Sequence, residues 1–226
     1  SGRSASVRPD MRATRGLLWL PVVLAASFPI GLLTAWTAAL PDRDSAPPPQ
    51  PQSNAGFVQV NAPISAAFTP EVQYWAPEIG RWSAEFGLPA DLIATVMQIE
   101  SCGHPEVEST AGALGLFQVM PFHFGAGEDP LLPEVNAIRG LSYLARGFEL
   151  AGGELGLTLA GYNGGHGVIG RPSAGWPAET RRYVRWGTQI MTDLREGAVP
   201  SPGLAAWLDA GGASLCRRAA SALGID

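Results

Sequence analysis

Among the carboxylates of this 226-residue sequence, Glu100 is the one best placed for acid–base chemistry, because a loop of fixed spacing follows it. That loop runs Ser109-Thr110-Ala111-Gly112-Ala113-Leu114-Gly115-Leu116-Phe117-Gln118-Val119-Met120-Pro121. The segment from Pro89 to Glu100 predicts a helix. Pro89 and Asp91 suit its N-terminus, and Leu92, Ile93, Val96 and Ile99 recur at helical spacing. Glu100 falls seven residues after Ile93 and four after Val96, so it extends the apolar stripe of its own helix. Partial desolvation there disfavours the charged form and raises the pKa. A carboxyl group kept protonated near neutral pH can donate a proton to a leaving oxygen. From the helix alone, Glu100 is more simply a polar residue closing the last turn, and only the downstream spacing sets it apart.

The Glu100-Ser101 pair, Ser109 nine positions after the Glu, and Gly112-Ala113-Leu114-Gly115-Leu116-Phe117-Gln118 running to Met120-Pro121 resemble the lytic transglycosylase and goose-type lysozyme family. Phe117 stands where that family usually has Met, which keeps an apolar side chain. Three later blocks resemble the family in the same order. They are Asp129-Pro130 through Asn136-Ala137-Ile138 to Tyr143-Leu144, then Ala160-Gly161-Tyr162-Asn163-Gly164-Gly165, then Glu179-Thr180-Arg181-Arg182-Tyr183-Val184. Four ordered blocks are far more specific than any one. Gly161 and Gly164 depart from the usual Ala-Tyr-Asn-Ala-Gly, a change expected to loosen the backbone around Tyr162 and Asn163. The resemblance covers roughly Thr69 to Glu196.

What the resemblance implies is a mainly α, lysozyme-like helical domain with a substrate cleft that takes peptidoglycan glycan strands. Glu100 would be the catalytic acid and then base. Ser109 and Tyr162 would hydrogen-bond the substrate's acetamido group, Gln118 and Asn163 would orient sugar hydroxyls, Met120 would line the cleft, and Tyr183 would lie beside Glu100. The implied chemistry uses one carboxylate, and the sequence offers no second acid at a matching family position. Glu106, Glu108 and Asp129 read as solvated loop charges. Two rival functions stay open: a goose-type lysozyme that cuts the same bond with water, and a non-catalytic glycan-binding scaffold of a cell-envelope machine. The intact Glu100 and Ser109 count against the scaffold.

Leu17 to Leu40 contains no charged side chain across twenty-four residues. As a helix it would span about 36 Å, more than the roughly 30 Å hydrocarbon core of a bilayer. Arg3, Arg8, Arg12 and Arg15 precede it against a single Asp10, while Asp42, Arg43 and Asp44 follow. The positive-inside tendency then puts residues 1–16 in the cytoplasm, makes 17–40 a transmembrane or signal-anchor helix, and exports the rest. A cleaved signal peptide is the competing reading, with Thr37-Ala38-Ala39 as a small-residue cleavage site, although such apolar regions usually run only about 7 to 15 residues. Pro21 and Pro29 argue mildly against a straight helix. Ser1 to Asp10, ahead of Met11, are expected to be in part an expression remnant.

Residues 41–68, with Pro47-Pro48-Pro49-Gln50-Pro51-Gln52, have a composition that favours an extended spacer over a packed core. The expected catalytic domain is 69–198, with a helical tail at 199–226; one domain's length is enough for a single core, and no internal repeat is visible. Leaving out the first fifteen residues, with four Arg and one Asp, takes the net charge from −5 to −8. An acidic, lysine-free domain is a poor nucleic-acid binder. Glycan strands of peptidoglycan carry carboxylates themselves, so substrate contact must come from the cleft and not from net charge.

The domain reads as mostly helical, with the intervening Gly and Pro clusters as loops. Thr69 can cap a helix with Pro70 at its first position, and Trp75, Ile79, Trp82 and Phe86 then form a core-facing stripe ending near Gly87. Further helices are predicted at about 134–150, 155–161 and 178–195, and Leu204, Trp207, Leu208 and Leu215 suggest a tail helix. No run of alternating strand residues stands out. Gly165-His166-Gly167-Val168-Ile169-Gly170 matches the dinucleotide glycine pattern, but no strand precedes it and no helix follows; it fits better as open backbone beside a sugar. Cys102 and Cys216 are the only cysteines. In an exported domain they can form one bridge clamping the tail to the active-site helix, or remain as two buried thiols. His104, His123 and His166 lack metal-ligand spacing, so neither a metal nor a cofactor is expected.

Overall fold

The computed structural model describes residues 64–225. The Leu17 to Leu40 segment and the proline-rich stretch that follows it lie outside the described residues. Within them, no helix is long and apolar enough to cross a membrane.

In place of the single aromatic-striped helix, the chain forms α1 (Pro70–Gln73) and α2 (Ala76–Phe86). Pro77 explains the break. It has no N–H to give the Gln73 carbonyl and its ring crowds that turn, so the chain restarts after Trp75, whose φ and ψ are −91° and 6°. Thr69 precedes α1 in an extended conformation but does not cap it; its hydroxyl donates instead to Gln98 Oε1 at 3.2 Å. The stripe itself is core as expected, with Trp75, Ile79 and Trp82 buried and Phe86 packed against them. Gly87 then stops α2 with a left-handed φ of 64°.

Helix α3 (Ala90–Glu100) is the element the others surround. Every residue from Leu92 to Gln98 is buried. Helices α1 and α2 cover one side of it and α6 (Ala178–Arg195) another. Its middle, Leu92 to Met97, is apolar on every face but for Thr95, so it must be buried on all sides, and that is where it sits. Helices α4 (Pro133–Leu150) and α5 (Leu155–Gly164) complete a layer with α6. Helix α5 starts where Glu154 accepts from Gly156 N at 2.8 Å and Leu157 N at 2.5 Å, and runs on to Gly164, past the expected end at Gly161. Among the described residues there are no strands, only isolated antiparallel bridges pairing Leu114 with Glu108 and with Val119.

The ends of the described region pack onto this core. Ile64 and Phe68, inside the expected 41–68 linker, are buried, so the packed domain begins before Thr69. After α6, Ser201 donates to Asp193 Oδ2 at 2.6 Å while its oxygen accepts from Leu204 N at 3.1 Å, fastening α6 to α7 (Pro202–Trp207). A wide turn at Leu208–Gly212 leads to α8 (Ala213–Leu223), which lies against α1. Cys216 of α8 is bonded to Cys102, just beyond α3, with their Cα atoms 5.0 Å apart. Both sulfurs are thereby taken, which removes the cluster of Glu71, Cys102 and Cys216 as a metal site.

The bridge joins residues 114 apart. Closing a loop of about that length removes chain entropy from the unfolded state corresponding to about 4 kcal/mol. Cys216→Ser is therefore expected to lower Tm by about 10 °C at this domain size, read by calorimetry. Thiol labelling of the unreduced, unfolded wild type should find neither cysteine free.

Candidate active site

The loop from Ser101 to Phe124 is the least regular part of the domain, and its shape is set by side chains bonding to backbone. Ser101, fully buried, donates to Leu116 O at 2.7 Å and accepts from Gly103 N at 3.0 Å. Asn136 on α4, also fully buried, accepts from Phe117 N at 2.9 Å and donates to Leu114 O at 2.8 Å and Pro130 O at 2.9 Å. Gly115 lies against that amide with φ 71°; a Cβ there would stand 2.5 Å from Asn136 Nδ2. Gln118 takes a positive φ of 48° and donates through Nε2 to Val107 O and Gly115 O, both at 3.0 Å. Phe117, at the Met position of the family pattern, faces away from solvent and packs edge-on to Trp82 at 5.8 Å.

This loop forms one wall of a cleft of about 470 Å³. Glu100, Ser109, Gln118, Met120, Tyr162 and Asn163 all line it, so six of the seven residues expected at the site come together. Tyr183, the seventh, is buried in an adjoining cavity of about 320 Å³ that shares Glu100, Asn163 and Glu179 with the first. Glu100 thus stands where the two cavities meet. The Ser109 hydroxyl accepts from Ala113 N at 3.0 Å, which leaves its proton for a ligand. Tyr162 donates to Phe117 O at 2.6 Å, so only its lone pairs remain available. Asn163 Oδ1 accepts from Thr180 Oγ1 at 2.9 Å, which leaves its NH₂. Gln118 has its NH₂ engaged in the loop, and its carboxamide oxygen makes no hydrogen bond among the described residues.

Burial against the core pushes the Glu100 carboxyl up to about 8. The nearby Tyr183 hydroxyl works against this shift, and the negative charge of Glu179 adds to it. The Tyr183 oxygen is itself enclosed without a well-formed hydrogen bond among the described residues. Burial and the Glu100 charge raise both Tyr162 and Tyr183 well above the ordinary phenol range, so both remain neutral donors. The arrangement is a desolvated acid facing an open cleft that presents one free hydroxyl proton and one free amide NH₂.

Several residues of the site carry no sequence-based role. Glu179 lines the cleft as a second carboxylate, although it sits in a block whose resemblance drew attention only to Tyr183. Tyr143 and His123 add rings to the wall. Ser101 and Asn136 are fully buried and shape the loop without lining the cleft; both lie in stretches that carry the family resemblance, which attached no role to either. The expected loosening at Gly161 and Gly164 is not what these glycines do. Both are helical, and a Cβ would lie 2.7 Å from Ile169 Cδ1 or 2.8 Å from Thr180 Oγ1, so they allow close packing behind Tyr162 and Asn163. Of the glycines after Asn163, only Gly165 reaches the cleft.

Residues 77–181 match the family model described as the Transglycosylase SLT domain. The chain is 33% identical over 112 residues to the transglycosylase of Enterobacteria phage PRD1, which covers 48% of this chain and 40% of that protein. Among solved structures it is similar to an inactive mutant of the lytic transglycosylase Slt of Pseudomonas aeruginosa, with 22% identity over 55% of this chain and 24% of that one, at a TM-score of 0.43. It is also similar to the 70 kDa soluble lytic transglycosylase of Escherichia coli, with 26% identity over 54% of this chain and 24% of that one, at a TM-score of 0.43. The chain thus spans about two fifths of the length of the curated relative and about a quarter of each solved structure.

The raised Glu100 value has a consequence for stability. Between 4.5, the ordinary value, and about 8, the folded chain holds a proton at Glu100 that the unfolded chain has lost, so folding stability falls as pH rises across that interval. Glu100→Gln removes the titration while keeping the shape. Its Tm relative to wild type is expected to climb steadily from about pH 5 to about pH 8 and level off above, as measured by thermal scans. A constant offset at all pH values would contradict the burial of this carboxyl.

Proposed function

We propose that the chain, whose residues 77–181 match the Transglycosylase SLT domain model, is a lytic transglycosylase that cuts the β-1,4 bond between N-acetylmuramic acid and N-acetylglucosamine in peptidoglycan. The observation that supports this reading most is Glu100 held protonated by burial at the meeting point of two cavities, beside a loop that offers the Ser109 hydroxyl proton.

In this reading Glu100 gives its proton to the glycosidic oxygen as the C1–O bond breaks. The acetamido carbonyl oxygen of the same muramic acid closes on C1 and holds the developing positive charge, a substrate-assisted route outside the two-carboxylate scheme. Ser109 donates to the substrate and helps fix its acetamido group, Asn163 and Gln118 orient hydroxyls, and Met120 fills the wall beside the ring. Glu100, now a carboxylate in a poorly solvated place, takes the proton of the C6 hydroxyl. That oxygen displaces the acetamido oxygen from C1, leaving a 1,6-anhydro end and restoring protonated Glu100. Exclusion of water from the enclosed side of Glu100 favours the internal hydroxyl over hydrolysis. We also propose that the domain works outside the cytoplasm, held by the Leu17 to Leu40 segment; the Cys102–Cys216 bridge suits an oxidising compartment.

Mass spectrometry of fragments released from purified peptidoglycan by the full chain tests the reading. Anhydro-muramic ends are expected, lost with Glu100→Gln by about a thousand-fold in rate. Reducing ends would make the chain a hydrolase, and no fragments with retained glycan binding would make it a scaffold.

Glu179 in the cleft is the observation that favours the hydrolytic alternative, since a second carboxylate could activate water. The pH profile separates the two. kcat/KM should fall as pH rises through about 8, where Glu100 loses its proton. If Glu179 acts only through its charge, Glu179→Gln should keep turnover and move that fall to lower pH, whereas loss of turnover in a folded variant would make Glu179 a catalytic residue.

A further inference from the structure

Phe122 is 74% exposed, the most open of the large apolar side chains among the described residues. Single exposed apolar residues are common and need no explanation. Phe122 differs because it lines the same cleft as Glu100 and because it is firmly held. It occupies a short 3₁₀ turn, Pro121–His123, closed by His123 N donating to Met120 O at 3.0 Å and Phe124 N donating to Pro121 O at 3.2 Å. Phe124, two residues on, packs against the main core and anchors the turn. The phenyl ring is therefore presented outward by a fixed backbone.

It also begins a series of rings leading inward. Centroids are 4.4 Å apart from Phe122 to His123, 5.3 Å from His123 to Tyr143, and 5.9 Å from Tyr143 to Tyr162. Tyr162 is close enough to Glu100 to feel its charge. His166 braces the middle of the series, stacked on Tyr143 at 4.0 Å and 14°. An aromatic face matches the C–H-rich face of a pyranose ring, apolar on one side and hydroxyl-bearing at its edge.

We propose that Phe122, with His123 and Tyr143, is an outer platform on which a sugar remote from the cleaved bond stacks, so that the cleft engages glycan strands in proportion to their length. The proposal rests on the glycan-cleaving reading and makes Phe122 a positioning residue, with no part in proton transfer. Nothing but a saccharide is required of the occupant, since the series runs without interruption into the site where Glu100 acts.

The test compares wild type, Phe122→Ala and Phe122→Trp on defined peptidoglycan glycans of increasing length, with products followed by chromatography and mass spectrometry. In Phe122→Ala the ratio of kcat/KM for long strands to that for the shortest cleaved glycan is expected to fall about five-fold, through KM and not kcat, and Phe122→Trp should restore it. An unchanged ratio, or an equal loss at every length, would overturn the platform. Direct binding of the same glycans to Glu100→Gln, with and without Phe122→Ala, keeps the two ideas apart. Wild type that fails to cut while Phe122→Ala weakens long-strand binding would remove the cleavage reading and keep the platform; equal binding by both variants would remove the platform alone; no binding by either would remove both.

Discussion

A single hydrogen bond, from the buried Ser101 hydroxyl to Leu116 O, fixes the distance between the end of α3 and the loop that faces it. Glu100 is the last residue of that helix and Ser101 the first beyond it. Whatever holds Ser101 in place also holds the carboxyl one residue earlier. The same oxygen accepts from Gly103 N, so the chain turns sharply behind Glu100 and leads directly to Cys102 and its bridge to α8. The acid, the loop and the tail are thus tied within three residues.

The loop has only short backbone pairings, such as Leu114 with Val119 and Gly115 N with Val107 O, and buried side chains complete its shape by satisfying further peptide groups. Asn136 alone meets two of them, Phe117 N and Leu114 O, and also Pro130 O just beyond the loop. A buried amide that lost such partners would leave unpaired groups at about 1–3 kcal/mol each, so alternative loop shapes are strongly disfavoured. Gly115 follows from the same constraint, since the amide occupies the space a side chain would need. Rigidity here is obtained from polar contacts because the opposite face must stay open as a cleft and cannot be packed with apolar groups.

Much of this was legible in the sequence. The helices at 90–100, 134–150 and 178–195 follow from apolar spacing, and the position of Glu100 on its stripe forecast the desolvation that raises its pKa. Pro77 is the local signal for the break, but the aromatic period continues across it and suggests one unbroken helix. Glu179 was harder. Exposed, at the first turn of α6, it has the signature of a solvated helix-start acid, and only the packing of α6 against α3 carries it to the cleft. Thr69 illustrates a further limit: its type suited a cap, but Gln98, twenty-nine residues away, took the hydroxyl. Local rules describe what a residue can do, and long-range packing decides which partner it meets.

The tail bears on the chemistry through this packing. Residues 77–181 already contain Glu100 and the loop, so the tail could have been an appendage. Instead Trp207, Ala210 and Gly212 wall the cavity on the far side of Glu100, with Trp207 seated so closely that a Cβ on Gly212 would lie 2.4 Å from its ring. Burial is the largest cause of the raised Glu100 value, and part of the enclosure next to that carboxyl is tail. Two fastenings hold it there, the Asp193–Ser201 bond at its start and the disulfide near its end. In the proposed reaction Glu100 must be protonated near neutral pH, which gives a physical reason to anchor at both ends a segment that contributes no group to that reaction.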